Sequence, residues 1–391
     1  MLLRVTPHSL GALLALVVVA LCPSHAPGHD ASMSGGLFRT RDAGATWLPL
    51  NPGSFVSGAL ALAVSPVDPH HLLLATDTGV SRSRNGGRDW VAEAPDSLAG
   101  PAFAVTFDAD GQRALVSVGS SIFHGDGGRW RRLRAPVGST PARVLVAGSV
   151  RGRVYLAGRS GLYRSDDWGQ SWVDVGGVLQ AKSASVVVVS RAHPDEVYAV
   201  VAGRCWASTD AGRHWQLRVD GLPRAGIEAL ALDPSDANLL WSMVADQVFG
   251  SDDQGRRWRP VGEPLPERPI VTRALAVMDG VIVTATHRGV YRSIDGGGHW
   301  ALVSDNLPPH LEAGMLVRDP VDGATVYAGF ALTPHEELAR NAAEGGGTLG
   351  RITLGKMASW LPFGILVLLA AAAGVWRLGR AYLAPSRSVP R

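Results

Sequence analysis

Seven tryptophans, Trp47, Trp90, Trp130, Trp172, Trp215, Trp258 and Trp300, follow one another at intervals of 43, 40, 42, 43, 43 and 42 residues. Regularity of this kind marks a chain built from equal supersecondary units, each burying its apolar face against the next. Every tryptophan closes the same pattern, S/T-x-D-x-G-x-x-W. The full copies are Thr40/Asp42/Gly44/Trp47, Ser165/Asp167/Gly169/Trp172, Ser208/Asp210/Gly212/Trp215, Ser251/Asp253/Gly255/Trp258 and Ser293/Asp295/Gly297/Trp300. Two copies are worn: Asn85 replaces the acid in Ser83/Asn85/Gly87/Trp90, and Asp126/Gly128/Trp130 is one residue short and lacks the hydroxyl.

The box has the chemistry of a tight turn. An aspartate side chain accepts backbone N–H groups two residues on, and glycine tolerates the positive φ that follows. The tryptophan adds an apolar anchor worth about 1.5 to 3 kcal/mol when buried. Each box therefore clips a hairpin to its layer.

Between boxes the chain offers short apolar or alternating runs split by turn signals. In one unit "IEALALDP", "LLWSMVA", "QVFGS" and "RWRPV" read as four successive strands. Four strands in about 43 residues make one blade of a β-propeller, whose repeat runs roughly 40 to 45 residues. Only "GGLFRT", one strand, precedes the first box, while "GMLVRDPVDGATVYAGFA" after the last supplies two strands and no box. Joined, these ends complete a blade, so the chain is expected to form seven blades with a split closing one, which removes open sheet edges.

The boxes resemble the Asp-box, or bacterial neuraminidase repeat, over residues 36–331. The resemblance implies that each box lies between the third and fourth strands of a blade, away from the ligand-binding face. It gives Asp42, Asn85, Asp126, Asp167, Asp210, Asp253 and Asp295, with the seven tryptophans, a structural role, and implies neither metal nor cofactor. The fold class expected is all-β, a seven-bladed propeller followed by one C-terminal transmembrane helix.

The ends place the propeller. Arg4 precedes an apolar run from Leu10 to Leu21 and then small residues and prolines, the pattern of a secretory signal over residues 1–28. Once Cys22 leaves with it, Cys205 has no partner, a combination compatible with a bacterial periplasm. Residues 332–357 read as a short helix, with Thr333 as N-cap, Pro334 first and Glu336 completing a capping box, and then a linker. Residues 358–376 carry no charge, are long enough to span a bilayer and have Trp360 and Trp376 at their ends. The tail, residues 377–391, holds Arg377, Arg380, Arg387 and Arg391 and no acid, against Lys356 before the span. The positive-inside rule puts the tail in the cytoplasm and the propeller outside, on a bacterial inner membrane.

The isoelectric point of about 9.1 suggests nucleic acid at first sight. Yet the formal charge is +3 and the four tail arginines exceed it, leaving about −1 for everything before them. A near-neutral exported domain is a poor phosphate binder.

Catalytic signals are absent from the pattern. Sialidases resemble one another in an arginine triad, an F/Y-R-I-P motif and a Tyr/Glu pair, whereas here Arg268-Pro269-Ile270 is scrambled. Of the tyrosines before the apolar stretch at 358–376, Tyr155, Tyr198 and Tyr327 fall on second strands and Tyr163 and Tyr291 just before boxes, leaving none there for a nucleophile. Two-carboxylate glycosidases on tandem propellers are the other enzymatic resemblance, and they use a cleft between two propellers. "GRITLGKM" has Met357 where a phosphate loop needs Ser or Thr, "HEELA" lacks the second histidine of a zinc helix, and His70-His71 read as exposed turn residues.

Binding residues are sought where the repeat is loose. The turns before the third strands carry Asp77, Ser120, Arg159, Arg204, Asp246 and His287-Arg288, and the blade-joining loops add Arg143, Arg224, Arg268 and Arg273. Arg159, Arg204 and Arg288 are expected to ring one mouth of the channel and to meet an acidic partner. Exported single propellers of this kind look like the photosystem II assembly and stability factor family, which implies docking on a membrane or periplasmic protein complex. The alternative is a glycan-binding or glycan-cleaving propeller.

Overall fold

The computed structural model describes residues 35–50, 58–179, 182–308 and 312–331, with Leu338, Arg340 and Ala342 beyond them. These residues form seven four-stranded antiparallel sheets. In six of them the strands follow chain order, as in Ile227–Leu232, Leu240–Val244, Gln247–Ser251 and Arg259–Pro260. The seven first strands stand side by side around the axis, and the short fourth strands form the rim. Blades are numbered here from Ala59–Val64, the first strand of blade 1.

The closing blade, blade 7, is split as expected. Ala313–Arg318 and Val326–Phe330 pair with Gly36–Thr40 and Leu48–Pro49, in register from Gly36 opposite Phe330 to Thr40 opposite Val326. The core lies between neighbouring sheets: Phe38, Trp47, Val283, Val290, Val326 and Phe330 fill the joint between blades 6 and 7.

Each intact box folds the same way. The Thr40 hydroxyl donates to Asp42 Oδ1 at 2.6 Å and accepts the Gly44 N–H at 2.9 Å, while Asp42 Oδ1 accepts the Thr46 N–H at 2.9 Å. The carboxylate thus reaches four residues on, not two, because the hydroxyl takes the nearer donors. Asn85 does the same work through its amide oxygen, accepting the Asp89 N–H at 2.9 Å. Gly44 sits at φ +86°, and a Cβ there would meet Val283 at 2.8 Å. The short copy is not a box turn: Asp126 pairs with Arg129 across Gly127 and Gly128, a two-residue hairpin in which both glycines have positive φ.

The tryptophans clip blade to blade. Nε1 of Trp90, Trp215, Trp258 and Trp300 donates to the carbonyl oxygens of Leu50, Val175, Arg218 and Glu263 in the preceding blade, at 2.6, 2.7, 3.3 and 2.9 Å.

The molecule has two unlike faces. On one, the residue after each box acid docks on the turn between first and second strands, as where the Ala211 N–H donates to Asp195 and the Gly86 N–H to His70. On the other, the turns before the third strands meet the blade-joining loops, as where the Gly100 N–H donates to Thr78 and the Ile227 N–H to Gly203. Gly36 and Phe330 lie on this second face, so both chain ends leave the propeller there. Among the described residues no helix is long and apolar enough to cross a membrane. The expected signal and the apolar stretch at 358–376 lie outside the described residues.

Candidate functional site

The face away from the boxes gathers the residues singled out from the sequence. A repeated backbone feature organises its centre. As they enter from the joining loops, six first strands carry a β-bulge, leaving one residue unpaired at the channel mouth: Leu60, Phe103, Ser185, Glu228, Arg273 and Gly314. Arg143 takes the equivalent place in blade 3, where its N–H donates to Ala157 just before Val144–Ala147 begins. The mouth therefore changes chemistry by sector: apolar on blades 1 and 2, polar or charged on blades 3 to 6. Alignment of the strand starts "GAL", "PAF", "PAR", "SAS", "GIE", "VTR" and "EAG" carries this signal, but only once the bulge fixes which residue of each is the free one.

On blades 5 to 7 the charges neutralise one another. Arg268 pairs with Asp246, Arg273 with Glu312, and Arg288 with Glu267 at 2.8 Å. The His287 N–H donates to the Val271 carbonyl at 3.1 Å, and His287 Nδ1 accepts the Val271 N–H at 3.0 Å. Glu228 Oε2 accepts the Thr272 N–H at 2.6 Å, and burial raises its pKa against the pull of that N–H, Arg273 and His287. Ala245, Asp246, Arg268, Pro269 and Ile270 line a shallow pocket of about 370 Å³.

Blades 3 and 4 differ. Arg143, Arg159 and Arg204 are exposed, as is Arg224 on the loop into blade 5, and among the described residues none of the four guanidinium groups has an ion-pair or hydrogen-bond partner. The joining segments 134–143 and 175–183 and the turns at 158–161 and 201–204 contain no Asp or Glu, while Arg134 and Lys182 add positive charge. The expected ring of Arg159, Arg204 and Arg288 is thus an arc: the first two stand free in an acid-free cationic sector, and Arg288 is tied to Glu267 on the far side.

The box carboxylates play no part in this face. Each is occupied within its own turn, and among the described residues no three His, Cys, Asp or Glu side chains gather as metal ligands. The five tyrosines of the described residues lie on the second and third strands assigned to them. The two adjacent histidines part company: His70 is exposed in its turn, whereas His71 is buried between blades 1 and 2, its ring 4.7 Å from that of Phe107.

No family model matches the chain, and no curated protein matches it. Solved structures do. The GH74 xyloglucanase from Xanthomonas campestris aligns with a TM-score of 0.57 at 20% identity, over 70% of this chain and 51% of the enzyme, so the chain spans about half of that enzyme's length. YCF48 bound to D1 peptide aligns with a TM-score of 0.53 at 19% identity, over 71% of this chain and 95% of that one. YCF48 from Cyanidioschyzon merolae gives 0.55 at 15% identity, over 70% and 95%. At these identities the likeness establishes the class, a seven-bladed β-propeller, and stops there.

Proposed function

We propose that this chain is a membrane-tethered, extracytoplasmic Asp-box propeller whose mouth face docks an acidic segment of a membrane or periplasmic protein complex, as a scaffold or assembly factor. The observation that carries the proposal is the acid-free sector of Arg143, Arg159 and Arg204. Unpaired guanidinium groups on neighbouring blades suit carboxylate recognition, since each offers a fork of donors with no internal competitor. The structural neighbour bound to D1 peptide, 95% of which this chain covers, is in keeping with peptide docking on this architecture. Both chain ends leave on the mouth face, so a tether at 358–376, with the tail in the cytoplasm, turns that face toward the bilayer and its proteins.

The test is isolation of the full chain from its native membrane in mild detergent, beside an Arg143→Glu/Arg159→Glu/Arg204→Glu variant. A defined complex present with the wild type and lost with the variant is the expected result. Equal recovery from both, or no stoichiometric partner with either, overturns the reading.

One observation favours a second reading, glycan binding or cleavage. Glu228 is a carboxyl of raised pKa at the channel mouth, the property a glycosidic acid needs, and GH74 enzymes are among the structural neighbours. Glycan-array binding abolished by Glu228→Gln would select it.

A further inference from the structure

The apolar sector of the mouth is already covered. Leu60 and Phe103, the bulge residues of blades 1 and 2, are 8% and 1% exposed, and the residue they close on, Leu338, comes from beyond the propeller and is itself 6% exposed. Ala331 and Ala342 pack against the same three. Leu338, Arg340 and Ala342 have helical backbone. Leu338 and Ala342 are four residues apart, so they share a helix face, while Arg340 is exposed. Ala331 forms a β-bridge with Gly58, two residues before Leu60, which places the exit of the chain beside the patch.

From this we infer that the mouth of blades 1 and 2 is a socket for one face of a short helix, held at rest in cis by the chain's own segment around Leu338. Leu338 lies seven positions after the Ala331 bridge, so its local concentration at the socket far exceeds that of a second copy's segment. The chemistry of the seat is that of helix-in-groove recognition, read through an apolar pair at i and i+4. An incoming helix of that pattern must displace Leu338 and Ala342, and its apparent affinity is its intrinsic affinity multiplied by the fraction of molecules in which the socket is open. Arg143 stands on the next blade, blade 3, so the socket of blades 1 and 2 borders the cationic sector. The inference does not depend on that sector docking anything.

The experiment uses the full chain in mild detergent, Leu338→Glu against wild type, with a fluorescent peptide of residues 332–344 as probe. Leu338 lies outside the sheets, so the variant is expected to melt within a few degrees of wild type, while amide exchange at residues 59–61 and 102–104 quickens by about 10-fold. The peptide is expected to bind Leu338→Glu and to bind wild type at least ~10-fold more weakly, and a peptide carrying the same Leu→Glu change binds neither. Equal peptide binding to both proteins, or unchanged exchange, overturns the socket. A wild-type dimer that becomes monomeric in Leu338→Glu overturns the cis assignment. Because the probe bears on blades 1 and 2, its failure is distinguishable from failure of the arginine sector.

Discussion

Arg292 Nε donates to the carbonyl oxygen of Ala43 at 2.7 Å, across 249 residues of chain, and so ties blade 6 to the blade assembled from both ends. The same contact recurs twice: Arg39 Nη1 to the Gly86 carbonyl and Arg164 Nη1 to the Ala211 carbonyl, each at 2.7 Å. In all three the arginine precedes the box hydroxyl, and the acceptor follows the box acid or its Asn replacement one blade on. Arg82 occupies this place in blade 1, but the next box is the short one. It turns instead to Glu93, at 2.6 Å, and to His71.

These staples rank by what their loss leaves behind. Arg292→Met removes a charged donor from a carbonyl, at a cost of about 1.5 to 3 kcal/mol. Arg82→Met strands Glu93, 12% exposed, without its cation, and is expected to cost about 3 to 5 kcal/mol. Urea denaturation of the two variants checks the order; a cost at Arg292 equal to or above that at Arg82 contradicts the assignment.

His71 makes the fold sensitive to mild acid. Burial, then Arg82 and Arg84, lower its pKa from 6.5 to about 4, and Asp68 and Glu93 offset this only in part. Above pH 6.5 the ring is neutral whether the chain is folded or not. Between pH 6.5 and 4 the unfolded chain takes up a proton that the folded one refuses, so stability falls as pH drops through that window. In Asp42 and Asp210 burial is outweighed by hydrogen bonds, from Thr40 and Thr46 and from His214 and Ser208, and both carboxyls sit at about 2. Their contribution is lost only as pH falls below about 4. His71→Gln keeps an acceptor for Arg82 and cannot titrate. Its urea midpoint should fall less than that of wild type between pH 7 and 4.5 and in parallel with it below pH 4; parallel curves throughout would show that His71 does not carry the upper window.

Cys205 reports global opening. It lies at 0% exposure among Tyr198, Val200, Ile227 and Leu240, and burial pushes its thiol up to about 12. The thiolate is the reactive form, so a disulfide reagent at pH 8, its adducts located by peptide mapping, should leave Cys205 untouched in the native chain and label it at the rate of unfolding. Fast labelling without denaturant, in a chain whose circular dichroism is native, would refute this.

Blade count and the split closure were legible because they rest on local chemistry: a box turn is made within eight residues, and "GGLFRT" and "VYAGF" each read as a strand. The partners of the mouth residues were not legible. Glu267 and Arg288 lie on different loops, 21 residues apart, and only the packing of turn against joining loop brings them together. Arg159 and Arg204 look no different from Arg288 in sequence, since freedom from a partner belongs to the neighbours. His71 went the same way: it follows an exposed turn histidine by one residue, and what buries it is a ring from the next blade, Phe107, 36 positions on.

The last prediction separates these arginines. Among the described residues Arg159 and Arg204 have no partner, so Glu at either position would replace attraction for the acidic partner proposed above with repulsion, while Arg288→Ala deletes a cation whose charge Glu267 already balances at 2.8 Å. Exposed charges act mainly on association and are screened by salt. Capture of the native complex on immobilised chain should therefore fall roughly 10-fold for Arg159→Glu or Arg204→Glu at low salt and at most about twofold for Arg288→Ala, with the difference shrinking as ionic strength rises toward 0.5 M. Thermal midpoints should stay together, since none of the three supports the core. If Arg288→Ala weakens capture as much as Arg159→Glu, the partner contacts the whole rim and the acid-free sector has no special standing.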